Sequence, residues 1–281
     1  MNIAIITQPW QLGSHNMGSG RGPDAILAAE LIDQLIDNGH RVGTPMSAEL
    51  TPAEQKQYGA WNKTGLANAH LAKLIADERR EGNFVIALES DCSSTMGALA
   101  GIQQSGAQRI GMVWYDAHAD FNTPETTLSG MLGGMPVAIS TGLCLARLRV
   151  QSGLANPIQA TDVVMVGLRD VDPLEMELLI EQGVKMVEPD PELVTEAVER
   201  LAQRVDAIYV HIDWDVLDPQ DIPTAGLPVP DGPHLDELVR LVSVATHHPK
   251  AVMVGYASFN ADKDQDGVVA RNLAENIAAS I

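Results

Sequence analysis

The chain has 281 residues and a formal net charge of −19 at pH 7, and 45% of its residues are hydrophobic and 20% charged. An acidic surface repels phosphate backbones, so the composition argues against a nucleic-acid partner. No apolar run has the length of a membrane span, residues 1–9 lack the basic start of a signal peptide, and two cysteines are too few for a disulfide framework, so we expect a cytoplasmic protein without a membrane association.

Short apolar runs alternate with segments of helical length along the chain. The runs predict strands at residues 2–6, 41–43, 84–88, 110–115, 162–167, 185–188, 207–213 and 251–256. The segments between them predict helices at 23–38, 66–81, 93–104, 174–182, 191–204, 234–247 and 266–279. This alternation is typical of an α/β protein with a parallel sheet covered by helices on both faces, and without a linker or repeat we expect one domain over residues 1–281. An eight-stranded barrel has the same alternation and stays open as an alternative.

The first group of polar side chains follows the predicted strand at 110–115. Asp116, His118 and Asp120 stand at every second position. If the chain stays extended, side chains two apart lie on the same face. Two carboxylates and an imidazole that converge at the end of a strand form a set of metal ligands.

A second group ends the predicted strand at 207–213. Asp213 and Asp215 are two positions apart, and Asp218 follows. Like charges side by side on a strand are costly unless a cation neutralises them. For either group alone, N-capping of a following helix is the alternative explanation. Two such groups at the exits of apolar strands favour a metal site, because ligands of open α/β sheets bind outside the carboxyl ends of the strands.

A third apolar run, at 84–88, leads through Glu89 and Asp91 to Cys92 at the start of a predicted helix. A helix start favours a thiolate, although a lone cysteine in this position is more commonly a small core residue.

Together the three segments resemble the arginase, agmatinase and formiminoglutamase (ureohydrolase) family, whose motifs read G-G-D-H, D-A-H-x-D and D-x-D with a following D-P. The resemblance covers nearly the whole chain. It implies a single-domain, three-layer αβα fold with a central parallel eight-stranded sheet, two Mn²⁺ ions at the carboxyl ends of the strands, and a homo-oligomer. It also implies that a hydroxide between the two ions attacks the carbon of a guanidino group. Two-metal sites hold their ions about 3.5–4 Å apart, so bridging carboxylates are needed.

By motif position, the resemblance implies six metal ligands: Cys92, Asp116, His118, Asp120, Asp213 and Asp215. Asp116 and Asp213 would bridge the two ions, and Asp120 would also take part in catalysis by orienting the hydroxide. Cys92 replaces the histidine of the family motif, and a soft thiolate suits manganese less well than oxygen or nitrogen donors do. We therefore expect the Cys92 position to bind Mn²⁺ weakly or to prefer zinc or iron.

Four further residues resemble the substrate-binding positions of arginases. Asn122 and Ser129 match the residues that hold the α-carboxylate of an amino acid, and Asp172 matches the residue that binds its α-ammonium group. Glu175 belongs to the same segment as Asp172. The resemblance therefore implies a guanidino α-amino acid as substrate. Turn formation by Asn122 and Ser129 and helix N-capping by Asp172 are the alternative explanations.

Two residues of the arginase pattern are missing. Gly133 stands where arginases carry a proton-shuttle histidine, and Ser258 stands where a glutamate holds the guanidinium. Loss of a general acid typically costs 10²–10⁴-fold in rate, and loss of the carboxylate leaves the cation of L-arginine unpaired. The pattern resembles Nω-hydroxy-L-arginine amidinohydrolases, so we predict hydrolysis of that compound to ornithine and hydroxyurea. Another ureohydrolase activity, on formiminoglutamate or a guanidino acid, and a non-catalytic binding protein stay open as alternatives.

Overall fold

The computed structural model describes all of residues 1–281, and a parallel sheet organises them. The strands, in chain order, are β1 (Asn2–Gln8), β2 (Trp10–Gln11), β3 (Ser14–His15), β4 (Arg41–Val42), β5 (Met46–Ser47), β6 (Phe84–Glu89), β7 (Ile110–Tyr115), β8 (Val163–Val166), β9 (Lys185–Val187), β10 (Ala207–Asp213) and β11 (Ala251–Ala257). The helices are α1 (Gly22–Ala28), α2 (Leu31–Asp37), α3 (Pro52–Gln55), α4 (Ala60–Arg80), α5 (Thr95–Gln104), α6 (Pro136–Ser140), α7 (Ala146–Gln151), α8 (Pro173–Gln182), α9 (Pro191–Ala202), α10 (Leu235–Thr246) and α11 (Val268–Ala279). None of these helices combines the length and the apolar character that a bilayer crossing requires.

The main sheet has the strand order β4, β1, β6, β11, β10, β7, β8, β9, and all neighbouring strands are parallel. The short strand β5 pairs with the later part of β1, on the same edge as β4, so nine strands fill eight positions. The predicted parallel eight-stranded sheet is confirmed. The alternative barrel is wrong, because the two edge strands, β4 and β9, do not pair with each other.

Both faces of the sheet are buried under helices. Phe84, Ile86 and Leu88 of β6 pack into one cluster of 40 buried residues, together with side chains from α1, α2, α9, α10 and α11. Val85 and Ala87 point to the opposite face and join a cluster of 29 buried residues, to which α4, α5, α6 and α8 contribute. Burial on both sides explains why the strands are apolar throughout, and it confirms the predicted three-layer arrangement.

The prediction of one continuous helix over residues 23–38 is wrong. Helix α1 ends at Ala28, and α2 begins at Leu31 after Glu30 adopts a left-handed backbone with φ +63°. Ile26 and Leu31 both lie in the core, five positions apart, whereas one face of a continuous helix repeats at three or four. The break changes the phase of the helix, so that Leu31 and Leu35 also face the sheet.

Four strands that are far apart in sequence are adjacent in the centre of the sheet, in the order β6, β11, β10, β7. Because all four are parallel, their carboxyl ends meet at the same edge. Cys92 follows β6, Ser258 follows β11, Asp213 ends β10, and Asp116 follows β7. The topology thus brings the polar motifs of the sequence to a single place.

Candidate metal centre

Two acidic motifs leave the sheet through the same local turn. The His118 N–H donates a hydrogen bond of 2.7 Å to Oδ1 of Asp116, and the Asp215 N–H donates one of 2.9 Å to Oδ1 of Asp213. β7 ends at Tyr115, so the segment after it is not extended, and the strand alternation expected for Asp116, His118 and Asp120 is wrong. The turn itself aims the side chains, and it leaves Oδ2 of both aspartates directed into the centre.

Two sets of possible ligand atoms form at the carboxyl edge of the sheet. Cys92, Asp116 and Asp213 make up the first set, and Asp116, His118 and Asp215 the second; within each set, one ligand atom per residue lies within 4.8 Å of the others. Asp116 belongs to both sets. A carboxylate shared between two cations is what a two-metal site requires.

The charges in this centre call for a cation. Burial raises the pKa of Asp116 well above its usual range, and repulsion from Asp215 and Asp213 adds to the effect. Burial and Asp215 likewise raise the pKa of Asp213 to about 7. Oδ1 of Asp215 is buried and has no hydrogen-bond partner. Buried carboxylates at this density are stable when a cation neutralises them, so the residues fit divalent ions.

The imidazole of His118 lies in the same negatively charged surroundings. Its Nδ1 lies 3.4 Å from Asp116 Oδ1 and 3.3 Å from Asp215 Oδ2. Burial disfavours a charged imidazole, but the hydrogen bonds to Asp116 and Asp215 outweigh burial and raise the pKa of His118 to about 12. The two carboxylates are hard oxygen donors, which suits Mn²⁺, and the imidazole nitrogen, a borderline donor, ligates a divalent cation once the cation displaces its proton.

The first ligand set differs from the second because it contains a sulfur ligand, Cys92. Only 4% of the residue is exposed, and its thiol donates to Asp213 Oδ2 at 2.8 Å. Burial and the nearby charges of Asp213 and Asp120 raise the pKa of the thiol well above its usual range. A cation must therefore displace this proton before the sulfur can ligate, and a soft cation does so more readily than Mn²⁺.

A cavity of about 260 Å³ opens above the centre. It is lined by all of the residues predicted for the site: Cys92, Asp116, His118, Asp120, Asn122, Ser129, Asp172, Glu175, Asp213 and Asp215. Asp120 has a left-handed backbone, with φ +49°, and lies in the cavity wall outside both ligand sets. Burial raises the pKa of Asp120, and the positive charge of His118 partly opposes this shift. Asp120 therefore interacts electrostatically with the second set.

One wall of the cavity is a hydrogen-bonded group at the start of α8. Asn122 Nδ2 donates to Asp172 Oδ2 at 3.2 Å, and the Asp172 N–H donates to Glu175 Oε2 at 3.3 Å. The other oxygen of Glu175 accepts the Phe121 N–H at 2.7 Å. Glu175 is therefore engaged with backbone and holds the wall together, whereas Ser129 is exposed at the rim.

Other residues of the cavity gave no signal in the sequence. Gln11 and Leu12 come from the β2–β3 hairpin, and Met131 and Leu227 come from loops. Loop residues have no periodicity that predicts where their side chains point, so only the folded chain identifies them.

Arg169 is a structural residue that the sequence did not single out. Its guanidinium donates to five backbone carbonyls, at distances from 2.9 to 3.3 Å: those of Gly167, Asp215, Leu217, Val229 and Pro230. Arg169 thus connects the loop that contains the candidate ligand Asp215 with the end of β8.

We expect Arg169→Met to lower the free energy of unfolding by about 2 kcal/mol, because several part-buried carbonyls lose a charged donor. Urea unfolding measures this change. Arg21→Met is the control, since the ion pair of Arg21 with Asp262 is exposed and such pairs contribute about 0–1 kcal/mol. Equal stability losses in the two variants would contradict the assigned role.

Glu89, the last residue of β6, is buried next to the centre. Burial raises the pKa of Glu89 to about 8, although a hydrogen bond from Tyr209 partly opposes the shift. Between the ordinary carboxyl pKa and pH 8, the folded protein therefore holds a proton that the unfolded chain has lost. Stability must fall as pH rises through this window.

We expect Glu89→Gln to remove the fall in stability that accompanies the rise in pH. Relative to the unmodified chain, the variant should gain on the order of 1 kcal/mol per pH unit between pH 5 and pH 8, with no further gain above pH 8. Urea unfolding of the metal-free protein at several pH values measures the difference. Parallel pH profiles for the two proteins would show that Glu89 is ionised in the folded state.

Comparison with known proteins agrees with this arrangement. A model of the arginase family matches residues 1–281. The arginase of Bacillus subtilis (strain 168) is 34% identical over 240 residues, which cover 82% of this chain and 80% of that protein. The structure of the arginase from Bacillus caldovelox aligns with a TM-score of 0.88 at 26% identity over 99% of this chain and 97% of that one.

A third relative is the Entamoeba histolytica arginase, whose structure was determined in complex with L-ornithine. It aligns with a TM-score of 0.88 at 25% identity, over 99% of this chain and 97% of that one. The chain therefore belongs to the arginase family and is a hydrolase of carbon–nitrogen bonds in linear amidines.

Proposed function

We propose that the chain is a manganese-dependent amidinohydrolase of an arginine-like α-amino acid and that it prefers Nω-hydroxy-L-arginine to L-arginine. The observation that carries the proposal is the composition of one cavity. It holds two sets of cation ligands and the Asn122–Asp172 wall, but Gly133 and Ser258 line it where arginases carry a histidine and a glutamate. In the reaction water adds to the guanidino carbon, the bond to the side-chain nitrogen breaks, and ornithine and hydroxyurea form.

The two ligand sets define how cations would be held. Asp116, His118 and Asp215 would hold one Mn²⁺, and Cys92, Asp116 and Asp213 would hold a second ion of weaker or softer character. Bound divalent cations supply an activated water at neutral pH. Asp120 would complete the ligation of these cations and orient this water from the cavity wall.

The amino-acid end of the substrate would bind at the cavity wall. Asp172 would pair with the α-ammonium group, and Asn122 and Ser129 would donate to the α-carboxylate. Glu175 would act indirectly, since its carboxylate holds Asp172 and the segment after Asp120 in place. The ornithine bound to the Entamoeba histolytica arginase supports an amino acid of this length as product.

The reacting end of the substrate favours a hydroxyguanidine. Ser258 Oγ donates to Asp213 Oδ2, so the position offers a neutral hydroxyl and no carboxylate to pair with a guanidinium. N-hydroxylation withdraws electrons and makes the guanidine less basic, so the substrate can enter without that partner. A Cβ at Gly133 would meet no atom within 4 Å, which leaves room for an added substituent.

Three accompanying proposals concern the whole chain. We propose that residues 1–281 act as one catalytic domain, that the protein works as a homo-oligomer, and that it is cytoplasmic. Cys92 and Cys144 are both free thiols, which supports a reducing compartment.

A substrate panel tests the proposal. The manganese-loaded protein is incubated with Nω-hydroxy-L-arginine, L-arginine, agmatine, formiminoglutamate and a guanidino acid, and hydroxyurea, urea, formamide and the amine product are quantified. We expect ornithine and hydroxyurea from the first compound at a kcat/KM at least tenfold above that for L-arginine. Comparable values for these two would contradict the preference, and turnover of only agmatine or formiminoglutamate would contradict an arginine-like substrate.

A further inference from the structure

A chain of buried polar side chains lies beneath Cys92, on the side away from the cavity. Nε2 of His211 lies 3.4 Å from Cys92 Sγ, and its Nδ1 lies 2.8 Å from the Tyr209 hydroxyl. The Tyr209 hydroxyl in turn lies 3.4 and 3.5 Å from the two oxygens of Glu89. His211, Tyr209 and Glu89 do not line the cavity, and the hydrolysis proposed above assigns them no task.

The surroundings hold this chain of side chains rigidly. The His211 ring stacks on Trp114, with ring centroids 4.0 Å apart and planes 9° apart. Gly255 leaves space for Tyr209 and Glu89, because a Cβ at this position would lie 2.5 Å from the Tyr209 hydroxyl and 2.9 Å from Glu89 Oε1. Gly255, on the neighbouring strand, thus leaves room for the buried pair of Tyr209 and Glu89. Tyr209 also contacts His211, which lies behind Cys92.

The direction of the hydrogen bonds follows from the donors available. The imidazole of His211 is wholly buried between apolar strands, where a neutral ring with one N–H is favoured over a charged one. Nδ1 faces two hydroxyls, those of Tyr209 at 2.8 Å and Thr95 at 3.4 Å. Below about pH 8 the Glu89 carboxyl keeps its proton and donates it to the Tyr209 oxygen, so the single Tyr209 proton goes to the much shorter contact, and Nδ1 accepts it. The ring proton of His211 is then on Nε2, directed at Cys92 Sγ.

We propose that His211 is a positioning residue for Cys92: its Nε2–H donates to the sulfur and holds it in place as a ligand for a divalent cation. A donor that faces a ligating atom fixes its orientation, and loss of such an outer partner typically costs 10–100-fold in metal affinity. A hydrogen bond to a thiolate also withdraws charge from the sulfur. The proposal rests on the metal centre described above but not on the identity of the substrate.

Cobalt(II) provides the test, because a cobalt–thiolate bond gives a charge-transfer band in the near ultraviolet that reports on Cys92 without turnover. His211→Phe keeps a ring to stack on Trp114 and removes both nitrogens. We expect the band to move to longer wavelength and the cobalt Kd of the absorbing site to rise 10–100-fold. Tyr209→Phe, which removes only the proton that sets the His211 tautomer, should shift the band in the same direction by a smaller amount.

A double-mutant cycle separates positioning from a general packing defect. Cys92→Ser removes the band, and in that background His211→Phe should leave the cobalt Kd unchanged within threefold. An equal rise of Kd in both backgrounds would overturn the proposal. So would an unshifted band in both His211→Phe and Tyr209→Phe, or the lack of a thiolate band in the unmodified protein. Hydroxyurea formation by the manganese-loaded protein is a separate measurement, so failure of the positioning role and failure of the proposed activity are distinguishable.

Discussion

Replacing Asp213 with asparagine is expected to remove hydrolysis while making the metal-free protein more stable. Asp213 is in the ligand set with Cys92 and Asp116, and its carboxylate is the only charge that changes in this variant. A metal site supplies several kcal/mol to the transition state, so we expect turnover to fall roughly 10³-fold or more. The stability change has the opposite sign. Burial and the neighbouring Asp215 make the charge of Asp213 unfavourable and raise its pKa, so a neutral amide relieves this repulsion.

The two effects are measured on the same preparation. Calorimetry gives the Tm of the metal-free protein, and titration with Mn²⁺ gives the cation affinity. Asp206→Asn is the matched control, because Asp206 lies at the opposite end of β10 and accepts the N–H groups of Gln108 and Arg109. The control should bind cations and turn over substrate normally. A stable Asp213→Asn variant with unchanged affinity and turnover would show that Asp213 is not a ligand.

The second large effect is expected from restoring the two missing arginase residues. In the double variant Gly133→His and Ser258→Glu, the histidine would supply a proton donor and the glutamate a partner for the guanidinium. A positioned general acid contributes about 10²–10⁴-fold, so we expect kcat/KM for L-arginine to rise at least 10²-fold. Gly133 has an ordinary backbone conformation and open space around its Cβ position, so a side chain fits there without strain.

Gly134→His with Ser258→Glu is the control for this gain. Gly134 also lines the cavity and has open space around its Cβ position, but it lies one residue away from the position that the resemblance assigns to the proton shuttle. The control should therefore show little increase with L-arginine. If both double variants leave L-arginine turnover unchanged, the absence of these two residues does not explain the proposed preference for the hydroxylated substrate.

The fold was largely predictable because each main strand is an apolar run that is buried on both faces. All eight predicted strands are present within about two residues of their expected ends. Short elements were not predictable. Helices α3, α6 and α7 and the β2–β3 hairpin have too few residues for a periodic pattern, and the break at Glu30 depends on how Ile26 and Leu31 meet the sheet.

The candidate site was predictable where sequence motifs sit directly at strand ends. Asp116, His118, Asp213 and Asp215 come together because β7 and β10 are neighbours in the sheet. The relation of Asp120 to the ligand sets was not predictable, because it depends on a turn with a left-handed residue and not on strand alternation.

The contacts of the residues behind the metal centre could not be predicted for a different reason. His211 lies inside an apolar strand and Glu89 ends another, and the sequence alone gives no sign that they lie close together. Their contact with Cys92 and Tyr209 depends on the register of β6, β11 and β10 and on the space that Gly255 leaves.

Anomalous X-ray scattering at the manganese absorption edge, from crystals grown with MnCl₂, determines directly whether the ligand sets of this cavity bind Mn²⁺. We expect a strong peak enclosed by Asp116, His118 and Asp215, and a second, weaker peak between Asp116, Asp213 and Cys92. Manganese peaks elsewhere on the surface, with none in contact with these side chains, would contradict it.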